Sequence, residues 1–127
     1  MRNYSKVLLV TAAIFGLIGT VIGAHMAGAG SYAFRPIHAH ILVSGFLALS
    51  VFALFYKVFS PKNQLLSTIH VWTAIIGNVG LVFGMYLHFL LDLPNAATLP
   101  VYIGGGVILL ISYAVFLIQT ITLDTRK

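Results

Sequence analysis

Five histidines stand out in a chain of 127 residues of which only 7% are charged: His25, His38, His40, His70 and His88. Imidazole is the group around which a site could form, because it ligates iron, copper or zinc in its neutral state. There is no cysteine, so disulfides, iron–sulfur clusters, thiolate zinc sites and covalently attached c-type heme are excluded. Heme held by two neutral imidazoles is a natural electron carrier, since six-coordinate iron changes oxidation state with little rearrangement and leaves no open position. On a regular helix His38 and His40 point about 200° apart, so they cannot both ligate one ion. They must serve different neighbours, one toward the bundle interior and one toward an adjacent bundle or subunit.

The elements that position these residues follow from composition. With 60% hydrophobic residues and 7% charged, an ordinary water-soluble domain is excluded and an integral membrane protein is expected. At roughly 20 apolar residues per crossing there is room for about four spans and no soluble domain beside them. The apolar runs place the spans at about 7–29, 37–59, 65–91 and 100–123, in one membrane domain covering 1–127. The breaks are Gly30 to Pro36, Ser60-Pro61-Lys62-Asn63-Gln64, and Asp92 to Leu99, with Pro36 and Pro100 suited to helix starts. All four spans are expected to be helices, because an isolated strand cannot satisfy its backbone in lipid.

Arg2, Lys6, Lys57, Lys62, Arg126 and Lys127 fall on one side of this arrangement, with Arg35 and Asp92 on the other. By the positive-inside rule both termini are cytoplasmic, and the net charge of +5 reflects orientation at a membrane rather than nucleic-acid binding. A cleavable signal peptide competes for the first 30 residues, but the apolar run is longer than a usual signal core. His25, His38, His40 and His88 then lie together at the outer side, and an ionisable side chain within a span is by default a functional candidate. His70 lies near the cytoplasmic end, about 27 Å of helix rise from His88. It reads as a packing residue or a second-site ligand, and mid-span Asn78 as an interhelical hydrogen-bonder.

A flat ligand would need clearance beside the imidazoles. Gly80, Gly84 and His88 recur at four-residue steps on one face, and Gly45 lies two regular turns from His38, with Ser44 one turn from His40. Gly19 and Gly23 precede His25 in the same way, although such spacing also serves close helix packing. Arg35 could pair with a heme propionate through its planar fork or act as an interfacial anchor. Trp72, Tyr86, Tyr102 and Tyr113 read as packing or interfacial aromatics.

The segment Arg35-Pro36-Ile37-His38-Ala39-His40-Ile41-Leu42-Val43-Ser44-Gly45-Phe46 resembles subunit I of the heme-copper oxidase and nitric oxide reductase superfamily. In that family an RPxH-like start to the second helix supplies an axial ligand of the low-spin heme, which the resemblance assigns to His38. A later family helix carries an HxH pair serving two hemes, and the His38-Ala39-His40 stretch is similar to that too. The family's twelve-helix core has pseudo-threefold symmetry, so the resemblance implies that this chain is one four-helix arc and that a homotrimer rebuilds the core. His38 of one subunit and His40 of the next would then ligate a heme at each interface. The segment Tyr86-Leu87-His88-Phe89 sits where a family helix carries copper-binding histidines, with one histidine in place of a pair. The family's histidine–tyrosine copper element is not recognisable, and Asp92 and Asp124 both lie outside the spans, so no carboxylate proton channel can be drawn.

The expectation is an all-α, four-helix membrane protein of the bacterial inner membrane, homotrimeric, binding heme b through His38 and His40. Arg35, Gly45 and Gly84 would shape that site, and the protein would carry electrons rather than reduce oxygen or nitric oxide. Two alternatives stand beside it: a membrane protein binding copper or zinc through His25, His38, His40 and His88, and an accessory subunit without a cofactor.

Overall fold

A computed structural model describes residues 3–125; Arg2, Arg126 and Lys127, used above for orientation, lie outside them. Four long helices follow one another: α1 (Tyr4–Ala29), α2 (Arg35–Phe59), α3 (Gln64–Leu90) and α4 (Asn95–Ile121). There is no strand among the described residues. Each helix has 25 to 27 residues and is apolar enough to cross a membrane, more than the roughly 20 residues that the hydrocarbon layer requires. This is a multi-pass membrane protein built as an all-helical bundle.

The ends are set by local chemistry. The side chains of Asn3 and Asn63 accept the Lys6 and Leu66 amides, at 3.0 and 3.1 Å, and so cap α1 and α3. Gly30, at φ 65°, closes α1 by donating its N–H to the Met26 carbonyl, and Ser60 ends α2 in the same left-handed region at φ 48°. Pro36 sits in the first turn of α2, as expected. Pro100 does not open the fourth helix, which begins five residues earlier, at Asn95. Proline gives up its own N–H bond and crowds the carbonyl one turn back, but the turn ahead of it is held by Ala97 and Thr98, whose amides both donate to the Pro94 carbonyl.

α2 is not regular throughout. From Ile41 to Ala48 it winds as a π-helix, a form that concentrates at functional sites. The widened turn begins immediately after His40, so positions beyond it are not at regular-helix angles to His38.

Glycines decide the packing. α3 and α4 form the tightest pair, because Gly77, Gly80, Gly84 and Gly105 let backbone meet backbone. A Cβ on Gly77 would stand 2.6 Å from the Leu109 nitrogen, and one on Gly84 would run into the Tyr102 backbone. α1 lies along α2 differently, with glycine under a side chain: Gly16 beneath Phe46, Gly19 beneath Leu42, and Gly45 of α2 beneath Phe15. α1 also meets α3, where the Tyr4 and Thr68 hydroxyls lie 2.6 Å apart, and α2 meets both α3 and α4, its Phe52 ring lying 4.7 Å from that of Phe116.

These contacts correct the reading of Gly45 and Gly84 as clearance for a flat ligand. The space beside Gly45 is filled by the Phe15 ring and that beside Gly84 by the backbone of Val101 and Tyr102. Ser44 is likewise turned onto its own helix, donating to the His40 carbonyl at 2.8 Å.

A methyl group at Gly105 would meet the backbone of Gly80 and Leu81. Gly105→Ala should therefore destabilise the protein by about 1–3 kcal/mol, whereas Gly28→Ala, with nothing within 4 Å of the added carbon, should be neutral or slightly stabilising. Thermal unfolding of the two variants in detergent checks the contrast.

Candidate functional site

α2 presents His38 and His40 in its first two turns. His38 is half-buried; its Nδ1 lies 2.8 Å from the Gly19 carbonyl of α1, and its ring edge rests on Gly23, where a Cβ would come within 2.9 Å of Cε1. His40 is exposed, and its Nδ1 lies 2.8 Å from the Pro36 carbonyl one turn back. A carbonyl oxygen only accepts, so Nδ1 of each ring carries the proton, and the neutral imidazole keeps its lone pair on Nε2. Neither Nε2 has a hydrogen-bond partner among the described residues. A ring held this way, donating from one nitrogen to a carbonyl and offering the other, is the arrangement that orients a metal-ligating histidine.

The two rings serve different surroundings, as their spacing requires: His38 is seated against α1, while His40 faces outward from α2. The other two candidates join neither of them. His88 is half-buried, 3.0 Å from the Thr98 hydroxyl and stacked on Tyr102 at 5.7 Å. His25 is exposed with its ring edge-on to Phe34. No group of three or more potential metal ligands gathers among the described residues, so the four outer histidines do not form one metal centre within a chain. Arg35, in the first turn of α2, lays its guanidinium over the Tyr32 ring at 4.7 Å.

The other end of the bundle holds an arrangement that sequence reasoning missed. His70 is fully buried in α3. Its ring stacks on Phe116 at 5.2 Å and meets Phe52 edge-on at 4.5 Å. Its Nδ1 lies 2.7 Å from the Tyr56 hydroxyl, which donates to Gln119 Oε1 at 2.9 Å. A phenol has one proton, so with that proton on Gln119 it is His70 Nδ1–H that donates to Tyr56. The Gln119 amide continues to Ser67 Oγ at 3.0 Å, and Ser67 donates to the Asn63 carbonyl at 2.9 Å. Every link thus points the same way, from His70 toward the start of α3 at Asn63, and ties α2, α3 and α4 together.

His70 is therefore packed, as expected, and also hydrogen-bonded, while its Nε2 is buried without a partner. Asn78 does not bond across helices. Its Nδ2 donates to the Ala74 carbonyl of its own helix at 2.9 Å and its Oδ1 is unpartnered, because a short amide on a helix reaches the carbonyl one turn back. The signal for this chain lay in plain view: Tyr56, Ser67, His70 and Gln119 interrupt three apolar runs at one depth.

No protein-family model, curated protein or solved structure matches this chain. Its chemistry is read from its own residues.

Replacing Tyr56 with Phe strands His70 Nδ1 and Gln119 Oε1 in an apolar interior. Tyr56→Phe should cost about 1–2 kcal/mol, measurable by reversible denaturation in detergent, while leaving the His38 and His40 end untouched.

Proposed function

We propose that this protein is a small membrane cytochrome that holds heme b non-covalently through His38 and His40 and carries electrons. The observation that supports the reading most directly is the pair of 2.8 Å contacts from Nδ1 of His38 and His40 to backbone carbonyls, which present both Nε2 lone pairs as iron ligands need. The bound iron would supply one-electron transfer; the chain would supply axial imidazoles of set orientation.

Residues around the pair fit a heme at the surface of the chain rather than inside it. Gly45 and Gly84 are filled by neighbouring groups, whereas His40 is exposed. A heme on His40 needs a second surface to cover its other face, and another copy of the chain, offering His38, would provide it. The homotrimer implied by the oxidase resemblance meets that need. In this proposal Arg35 pairs with a propionate, both termini are cytoplasmic, and the protein sits in the bacterial inner membrane as a carrier rather than a complete reductase. A copper or zinc centre has less support, given that no three ligands gather among the described residues.

Purified, heme-supplemented protein should show a Soret band and a sharp reduced α band insensitive to carbon monoxide. Both should be lost from folded His38→Ala or His40→Ala protein. Unchanged heme content in either variant would refute the ligand assignment, and only monomers on crosslinking would refute the trimer. The chain has no cysteine, so single-cysteine labels report orientation cleanly. A membrane-impermeant thiol reagent added outside intact cells should modify Ser31→Cys and not Ser60→Cys.

A further inference from the structure

At the end opposite the paired histidines, a cleft of about 460 Å³ opens between the start of α1, the last turn of α2 and the start of α3, walled by the turn Ser60-Pro61-Lys62. Among the described residues, the charged ones that line it are Lys57 and Lys62, with Ser5 and Ser60 beside them. Buried Tyr56 and Ser67 form its inner wall. α1 and α3 both begin here, and neither has an acidic residue in its first turn. Their N-terminal dipoles therefore add to the lysine charges. The Asp124 carboxylate belongs to a separate cleft of about 280 Å³, which shares Ser60, Pro61 and Lys62.

We propose that this cleft is a binding site for the phosphate-bearing headgroup of an anionic phospholipid. It lies where the apolar helices end, which is the depth of the headgroup layer, and basic pockets between membrane helices are suited to such groups. Both lysines are exposed, so their stems can follow the apolar surface while the ammonium groups meet the phosphate. The helix residues just inside it, Leu54, Val58 and Leu65, are 61%, 58% and 70% exposed and offer an apolar track for the acyl chains. That track favours a lipid over a soluble phosphate ion. The site is independent of the heme reading and involves none of its residues.

Native mass spectrometry of the full chain, released from micelles doped with phosphatidylglycerol or phosphatidylcholine, tests the site. The protein should retain phosphatidylglycerol in preference to phosphatidylcholine. The double variant Lys57→Gln, Lys62→Gln should bind phosphatidylglycerol roughly 10- to 30-fold more weakly, given about 1 kcal/mol per basic residue, with unchanged helical circular dichroism. Lys6→Gln, which alters a lysine at the same end outside the cleft lining, should change binding less than about threefold, since it removes only diffuse attraction. Equal retention of the two lipids, equal binding by the double variant, or as large a loss for Lys6→Gln would overturn the proposal. Displacement of the lipid by excess inorganic phosphate would overturn the assignment to a lipid and make the cleft a phosphate site.

Discussion

Hydrocarbon offers no hydrogen bonds, and nearly every feature of this protein follows from that. A polar group placed in the membrane must be satisfied by the chain itself or remain unpaired at a cost of several kcal/mol. The backbone answers with four uninterrupted helices. Hydroxyls answer by folding back onto their own helix, as Thr11, Thr20 and Ser50 do toward the carbonyls four residues before them. The histidines also turn to carbonyls, His40 to Pro36 of its own helix and His38 across to Gly19 of α1, and in each ring the remaining nitrogen keeps its lone pair.

The same constraint builds the buried chain through His70, Tyr56, Gln119 and Ser67. Each of these groups would be stranded alone, and together they satisfy all but His70 Nε2. Because the bonds join α2, α3 and α4, they hold three helices at a common depth with a directionality that apolar contacts lack. The glycine contacts complement this by setting distance rather than depth. α3 and α4 meet backbone to backbone, forming a rigid pair. α1 and α2 meet with side chains laid over glycines, and the seat this leaves at Gly19 and Gly23 is the one His38 occupies.

The two ends of the bundle consequently differ in kind. One end carries imidazoles aimed by carbonyls, with aromatic neighbours: Phe34 touches both His25 and Tyr86, and Tyr102 stacks on His88. The other carries lysines around a cleft whose inner wall is formed by Tyr56 and Ser67 of the polar chain. A positional asymmetry of charge becomes an asymmetry of chemistry across the membrane.

The number of spans, their approximate limits and the grouping of four histidines toward one end were legible in the sequence, because they depend on length, hydropathy and the 1.5 Å rise of a helix. The divergence of His38 and His40 was legible for the same reason. Which glycine faced a ligand and which faced a helix was not: Gly45 and Gly84 follow the pattern of a cleared strip, yet Phe15 and Tyr102, distant in sequence, occupy the space. Nor does helical periodicity reveal that Ile41 to Ala48 winds as a π-helix, or that Tyr56 bonds both His70 and Gln119, the latter 63 residues away. Partners of buried polar groups are chosen across helices, and only the packed bundle decides which helix faces which. The sequence by itself determined how many helices cross the membrane and where their polar residues lie in depth; the tertiary structure decided what each of those residues meets, since depth is a property of one helix and contact a property of two.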